Sequence, residues 1–321
     1  VTITNKGYVK RIANDVYRTQ HRGGRGVTGV TMREQDGIQH ILAANTMDSL
    51  LVFTNRGRVY QVKVHELPDA GRTAKGLPIV NVINMQPDET VTTLMNVTEH
   101  DPTKFLFFTT RMGRVKRTSL DQYKAVRSSG LIAIGIEDND ELAWVRITSG
   151  NDEVILVSEH GQAIKFHETD ARAMGRPAAG VIGMRLDPKD RVIAFEVVDP
   201  EDDLLVVSQR GFGKRTAINL FRGQGRGGKG IQAMKLTPKT GNIVAAGMVR
   251  DEDSVMLMNT KAPIFRIPEK QINRLGRSTQ GVTLMRFDDE EQVATMTIAR
   301  ARDGDPSLNG VDPDMIVQGD H

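Results

Sequence analysis

The segment Asp203-Leu-Leu-Val-Val-Ser-Gln-Arg-Gly-Phe-Gly-Lys-Arg-Thr-Ala217 contains the pattern from which the chain is built. An apolar run from Leu204 to Val207 leads into a turn at Gly211, and a second run of strand length follows. The first run is rich in branched residues and too short for a helix, which is typical of a buried strand. Two such runs around a turn glycine predict an antiparallel hairpin.

The same pattern occurs six times. The other apolar runs begin at Val1, Leu50, Phe105, Val154 and Val255. The turn glycine is Gly7, Gly57, Gly113, Gly161 or Gly211, with Ala262 in the sixth segment, and a second glycine follows at Gly26, Gly76, Gly130, Gly180, Gly230 or Gly281. These second glycines are 50, 54, 50, 50 and 51 residues apart. A period of this length, with further strands after the second glycine, predicts propeller-like blades of four antiparallel strands.

The sequence therefore predicts an all-β fold with six blades, because one sheet cannot bury both of its faces alone. We expect a single domain over residues 1–302, followed by an acidic, disordered tail at 303–321. The predicted blades are about 1–49, 50–103, 104–152, 153–203, 204–253 and 254–302. The first residues read as a strand entered in mid-protein, so we expect a fragment of a longer chain.

Composition excludes several classes of protein. The 321 residues are 39% hydrophobic and 26% charged, which is typical of a folded domain. There is no Cys, so neither a disulfide framework nor a thiolate metal site is possible. The longest apolar runs are too short to span a membrane as a helix, and the histidines lack metal-ligand spacing. We therefore expect no metal and no membrane, and a cytoplasmic location.

Charge follows the repeat. The net charge is +3, and residues 303–321 contain five acids and no Lys or Arg, so the preceding part is more basic. A first set of bases stands four residues before the second glycine: Arg22, Arg72, Arg176, Arg226 and Arg277. A second set follows the turn position by three or four residues: Lys10, Arg11, Lys116, Arg117, Lys165, Lys214, Arg215 and Arg266. In a symmetric array these bases would form an outer rim suited to the phosphate backbone of duplex DNA. Alternatively, each arginine ties down its own glycine loop.

The first segment also contains the box Gln20-His21-Arg22-Gly23-Gly24-Arg25-Gly26. Glycines allow backbone N–H groups to approach a phosphate, and arginines supply forked donors. The box and the sixfold repeat resemble the C-terminal domain of the DNA gyrase A protein over residues 1–300. His21 departs from the family, which usually has a base there.

This resemblance implies a six-bladed β-pinwheel, a propeller-like disc whose four-stranded antiparallel blades exchange strands. It implies that residues Gln20 to Gly26 contribute to chiral wrapping of duplex DNA, which presents a DNA segment for strand passage so that the parent topoisomerase introduces negative supercoils. It implies a monomeric isolated domain whose parent forms a heterotetramer with the gyrase B protein. The catalytic tyrosine, the ATPase, ATP and magnesium would belong to other parts of the enzyme, so the chain itself would be non-catalytic and need no cofactor.

Several alternatives stay open. The near-copy Gln224-Gly-Arg-Gly-Gly-Lys-Gly230, with Arg226 and Lys229, is either a remnant of the repeat or a second DNA anchor. It lacks the Ser or Thr of a nucleotide-binding P-loop, because Gly230 stands there. The acidic tail either competes with DNA for the rim or has no effect. The whole chain could also resemble the C-terminal domain of the A-type protein of topoisomerase IV, or a protein-interaction β-propeller.

Overall fold

The computed structural model describes residues 1–13, 38–71, 74–260, 264–287 and 291–300. Contacts divide the chain into two compact units. Unit 1 contains Val1–His100 and Tyr123–Ala133, and unit 2 contains Asp101–Gln122 and Ile134–Ala301. Within the described ranges, helix occurs only as short 3-10 turns, and none of these helices is long and apolar enough to cross a membrane.

Unit 1 holds two four-stranded antiparallel sheets. The first has the order β3-β1-β2-β6 and the second β10-β5-β4-β7. The strands of the first sheet are β1 (Thr2–Thr4), β2 (Tyr8–Lys10), β3 (Ile38–Ile41) and β6 (Leu77–Pro78). Those of the second are β4 (Ser49–Thr54), β5 (Arg58–Lys63), β7 (Val91–Asn96) and β10 (Leu131–Ile132).

Unit 2 holds four further antiparallel sheets, with the orders β11-β8-β9-β14, β15-β12-β13-β18, β19-β16-β17-β22 and β21-β20-β23. The first is built from β8 (Phe105–Thr110), β9 (Arg114–Ser119), β11 (Leu142–Thr148) and β14 (Val181–Ile182). The second is built from β12 (Glu153–Ser158), β13 (Gln162–His167), β15 (Val192–Val197) and β18 (Ile231–Gln232). The third is built from β16 (Asp203–Ser208), β17 (Phe212–Ala217), β19 (Ile243–Val249) and β22 (Val282–Thr283). The last is built from β20 (Ser254–Asn259), β21 (Ile264–Pro268) and β23 (Val293–Ala299). The predicted all-β class with six repeated antiparallel blades is confirmed.

Each four-stranded sheet takes its last strand from the next repeat. β13, for example, pairs with β18, which follows the second glycine of the fifth segment, in the register Gln162 with Gln232. The strand exchange that the resemblance implied is therefore present in all five four-stranded sheets of the described ranges. The exchanged strands contain only two residues each. Each ends after two residues because the chain then bends, as where the Gly183 N–H donates to Gly113 O over 2.8 Å.

Within each unit, the apolar core lies between consecutive sheets. In unit 1, Ile3 and Val9 of the first sheet pack with Leu50 and Val52 of the second. In unit 2, side chains of the second sheet meet those of the third, and the other neighbouring sheets are joined by clusters of the same kind. The strands β11, β15, β19 and β23 contact one another in series at one edge of these sheets. The exchanged strands stand at the opposite edge.

The second glycine is required by a close backbone approach. Gly230 has φ +82°, and a Cβ there would overlap the backbone of Ala163 on β13. Gly180 has φ +81° and meets Val115 on β9 in the same way. Both the left-handed conformation and the lack of space exclude a side chain. The strict recurrence of this glycine therefore follows from the crossing of each incoming strand over the preceding sheet.

We expect Gly230→Ala to lower the free energy of unfolding by about 2–4 kcal/mol, because it adds a left-handed alanine and an overpacked methyl group. Gly225→Ala is the matched control in the same loop, since no atom lies within 4 Å of its added Cβ. Urea unfolding of the 321-residue chain measures both changes. Equal stability of the two variants would contradict this reason for the repeat.

Candidate nucleic-acid interface

A glycine loop precedes each exchanged strand. We use this name for residues 67–71 with 74–76 and 124–130 in unit 1, and for 171–180, 221–230 and 272–281 in unit 2. Each loop follows a 3-10 helix: Val64–Glu66, Leu120–Tyr123, Glu168–Asp170, Ile218–Leu220 or Glu269–Gln271. Within unit 2, N–H groups of the loops donate to the preceding sheet over 2.8 Å, as from Met174 N to Arg117 O and from Gln224 N to Lys165 O. Backbone bonds therefore fix each of these loops beside a strand.

Three lysines of the second predicted set lie beneath these loops rather than on a rim. Lys116 Nζ donates to Gly175 O over 3.2 Å and to Arg176 O over 2.5 Å. Lys214 Nζ donates over 2.6 Å to the carbonyls of both Gly276 and Arg277. Lys10, Lys116 and Lys214 are all buried, so the prediction that they belong to an exposed rim is wrong. Lys10 instead donates to two carbonyls of the first loop.

Burial changes the acidity of these lysines. Removal from water lowers the pKa of Lys116 to about 7, and the neighbouring Arg176 adds to this effect by charge repulsion. Burial lowers the pKa of Lys214 to about 8, again with a smaller contribution from an arginine, Arg277. The pKa of Lys10 is lowered by burial as well. Each lysine satisfies loop carbonyls at the cost of desolvating its ammonium group.

The arginines one position later support the 3-10 helices. Arg117 Nε donates to Ala171 O over 3.1 Å, and Arg215 Nε donates to Ile272 O over 2.8 Å. Their guanidinium groups also pair with buried carboxylates, Glu168 for Arg117 and Glu269 for Arg215. Arg117 is buried, so its prediction as a rim residue is also wrong.

The remaining members of this set differ in exposure. Arg11 is half-buried and donates to Leu67 O over 3.0 Å, while Lys165 pairs with Glu153 over 2.8 Å. Arg266 is exposed. Exposure of the second set is therefore not uniform.

The first set, four residues before the second glycine, is more accessible. Arg226 is exposed, yet its guanidinium donates to Asp170 O over 2.8 Å and to Ile182 O over 3.1 Å. Arg277 is half-buried and donates to Gln232 O over 3.1 Å, the equivalent carbonyl one repeat later. Arg176 is half-buried. Arg226 and Arg277 thus join their loop to an exchanged strand, as the loop-binding alternative expected.

The near-copy of the box is closely joined to the fourth segment. Gly227 N donates to Gly183 O over 2.7 Å, and Arg185 N donates to Gly228 O over 2.9 Å. Lys229 is 66% exposed at its side chain and pairs with Asp187 over 2.6 Å. Both cations of this segment, Arg226 and Lys229, therefore have protein partners.

The box of the first segment lies outside the described residues. This applies to Gln20, His21, Arg22, Gly23, Gly24, Arg25 and Gly26, and also to Arg72 and to the acidic tail. Their assignment as DNA-binding residues stays a prediction.

Sequence reasoning missed a third register of cations. Arg185, Lys235 and Arg286 each stand five residues after a second glycine, and all three are exposed. The Lys235 N–H donates to Thr279 O over 3.0 Å, equivalent to the bond between Arg185 and Gly228. The signal was available, because counting forward from the second glycine as well as backward would have found these positions.

Unit 2 also contains a cavity of about 470 Å³ among the strands β11, β15, β19 and β23. Arg111 and Arg191 line it, but they pair with Glu141 over 3.3 Å and with Glu159 over 2.8 Å. Burial raises the pKa of Glu196, which also lines the cavity. Because these cations are already paired, the cavity offers a polyanion less than the exposed Arg185, Lys235 and Arg286 do. In the part of the chain that the structure describes, no group of three His, Asp or Glu could hold a metal.

One known protein family matches this chain along nearly its whole length. A family model described as "DNA gyrase C-terminal domain, beta-propeller" matches residues 1–45, 48–98, 104–149, 152–199, 202–250 and 253–300. These six matches follow the six segments of the repeat.

Curated relatives are similar over nearly the whole chain. The DNA gyrase A protein of Halalkalibacterium halodurans is 50% identical over 296 residues, and that of Clostridium acetobutylicum is 43% identical over 296 residues; each alignment covers 92% of this chain and 36% of the relative. That of Streptococcus pyogenes serotype M1 is 48% identical over 304 residues, or 94% of this chain and 37% of the relative. The chain therefore spans little more than a third of these relatives.

Two solved structures are similar throughout. The C-terminal domain of DNA topoisomerase IV superposes with a TM-score of 0.81 at 28% identity, covering 96% of this chain and 94% of that one. A DNA gyrase A C-terminal domain superposes with a TM-score of 0.73 at 26% identity, covering 93% of this chain and 98% of that one.

The buried lysines predict a pH dependence of stability. Because the pKa of Lys116 is lowered on folding, the folded chain binds fewer protons than the unfolded chain between about pH 7 and the ordinary lysine value. The contribution of Lys116 to the free energy of unfolding therefore rises as the pH increases through this window, and it falls as the pH decreases. The slope is at most about 1.4 kcal/mol per pH unit.

Lys116→Met removes the titrating group and keeps the length of the side chain. We expect the wild-type chain to gain free energy of unfolding relative to this variant as the pH rises from about 7 to about 9, as measured by urea unfolding. Lys229→Met is the control, because its side chain is 66% exposed at the surface. Parallel stability profiles of the wild type and Lys116→Met would contradict the assignment.

Proposed function

The chain belongs to the DNA gyrase C-terminal domain family, and on this premise we propose that it binds, bends and chirally wraps duplex DNA along its glycine loops. The observation that carries the proposal is the recurrence of exposed cations, Arg185, Lys235 and Arg286, beside loops that backbone bonds hold in place. Phosphates require charge at regular intervals and make no demand on sequence, and a repeated loop meets that need.

Duplex DNA fits this surface better than single strands do. Aromatic residues are only 5% of the chain, and stacking on unpaired bases requires exposed rings. Tyr60 and Tyr123 are buried, as are Phe53, Phe107 and Phe166. The recognition of a backbone rather than of bases therefore accounts for the composition.

The curated relatives indicate the longer protein in which such a domain would act. Curated relatives are gyrase A proteins, and the chain spans 36–37% of their length. We infer a role within a heterotetramer of gyrase A and gyrase B proteins in the cytoplasm, where the wrapped DNA is presented for strand passage and negative supercoils are introduced. ATP and magnesium would serve other parts of that assembly.

The chain itself would be non-catalytic. Cleavage of DNA by a topoisomerase needs an accessible, activated tyrosine. Tyr60 is buried and its hydroxyl donates to Glu89, and burial together with this bond raises the Tyr60 pKa to about 12. Tyr123 is buried and donates to Ala133 O over 3.3 Å. Neither phenol is suited to act as a nucleophile.

A second candidate is the topoisomerase IV type of C-terminal domain. The solved topoisomerase IV domain has the higher TM-score of the two structures compared, 0.81 against 0.73. The curated relatives with 43–50% identity are gyrase A proteins, which favours the gyrase type. We expect chiral wrapping from a domain of the gyrase type and not from one of the topoisomerase IV type.

We expect the 321-residue chain to retard linear duplex DNA and to lose affinity steeply with salt, because each neutralised phosphate contributes about −0.9 to the slope of log K against log salt. Fluorescence anisotropy from about 50 to about 200 mM salt measures this slope. A plasmid relaxed in the presence of the chain should keep superhelicity of one sign that grows with protein concentration.

Each result separates one alternative. Binding without trapped superhelicity favours the topoisomerase IV type, and absence of binding at about 50 mM salt overturns the proposed function. A flat salt response would exclude recognition through the phosphate backbone. Nicking of the plasmid by the purified chain would contradict its non-catalytic role.

A further inference from the structure

Resting on the proposed function, we propose that Arg185, Lys235 and Arg286 are the phosphate-contacting side chains of unit 2, and that Arg226 and Lys229 fasten the loop instead. We call the first three residues the cation ladder. These three residues are the cations that we expect to contact DNA. They belong to neither of the two sets of bases that the sequence pattern predicted.

Availability of the charged groups distinguishes the two sets. Within the described part of unit 2, the side chains of Arg185, Lys235 and Arg286 are exposed and have no hydrogen-bond or ion-pair partner. Arg226 uses its guanidinium on two carbonyls, and the ammonium group of Lys229 is paired with Asp187. A cation with no protein partner can neutralise a phosphate, and so release the counterions condensed on DNA, without breaking a bond, whereas a bound cation must first lose its partner.

The backbone holds the ladder in place. The N–H of Arg185 is bonded to the glycine loop of the fifth segment at Gly228, and the N–H of Lys235 is bonded to that of the sixth segment at Thr279. The same bond joins Gly135 to Ala178 one repeat earlier, where glycine supplies no charge. The ladder therefore begins at the fourth segment and occupies one equivalent position in three consecutive segments.

The spacing of the blades suits a duplex. Sheets that pack face to face lie about 10 Å apart, and each strand of duplex DNA carries one phosphate per about 3.4 Å of its axis. One cation per blade in three consecutive blades therefore spans about 20 Å, which is less than one turn of the duplex at about 34 Å. Flexible arginine and lysine stems can then reach phosphates on the side of the duplex that faces the protein.

The sharpest test compares three variants of equal or similar charge in the 321-residue chain. The ladder variant is Arg185→Ala with Lys235→Ala and Arg286→Ala. The charge-matched control is Lys104→Ala with Arg210→Ala and Lys270→Ala, three exposed cations of unit 2 outside the register. The fastening variant is Arg226→Ala with Lys229→Ala.

We expect the ladder variant to reduce the slope of log K against log salt by about 2.7, which is three contacts at about 0.9 each. The control should change the slope by less than one contact, because it alters only net charge. The fastening variant should lower the urea midpoint and leave most of the slope. The ladder variant should keep the wild-type midpoint.

The outcomes separate this proposal from the function on which it rests. Equal slopes for the ladder variant and the control overturn the ladder while wild-type binding stands. A larger loss of slope in the fastening variant than in the ladder variant overturns the division of roles. If the wild-type chain itself does not bind duplex DNA, the proposed function fails and the ladder fails with it.

Discussion

The close passage of each second glycine over the preceding sheet is the constraint on which the rest of the structure depends. At Gly180 and Gly230 the backbone comes so near a neighbouring strand that no Cβ fits, and only there can the chain deliver a strand to the sheet before it. That passage places the glycine loop beside the edge of the sheet. It therefore positions every cation that the loop or the following bend carries.

Buried lysines hold two of these loops in place by donating hydrogen bonds to loop carbonyls. A buried ammonium group is costly, and it is retained where several acceptors converge on it. Beneath two loops of unit 2, Lys116 and Lys214 donate to several loop carbonyls, among them those of Arg176 and Gly276. Ile164 occupies the equivalent place on β13 and is buried as well, so an apolar side chain stands there instead of a lysine. Loops of similar sequence are thus supported by two different kinds of interaction.

The repeat period, the all-β class and the positions of the recurring glycines could be predicted from the sequence, because each depends on local chemistry. The accessibility of the cations could not. Lys116 and Arg117 are neighbours on β9, and on a strand they point to opposite faces. Whether the face with Lys116 is covered depends on a loop about 60 residues later in the chain. Lys116 therefore read as a surface base, although it is 0% exposed. Arg185 was overlooked because its register follows the glycine instead of preceding it.

The exchange of strands also affects how the chain can fold as it is made. When β12, β13 and β15 have left the ribosome, the outer edge of β13 is still unpaired, and it stays so until Ile231–Gln232 emerge. An unpaired edge invites association with another chain. Each repeat thus shields the one synthesised before it, and assembly proceeds with a single temporary open edge that moves along the nascent polypeptide.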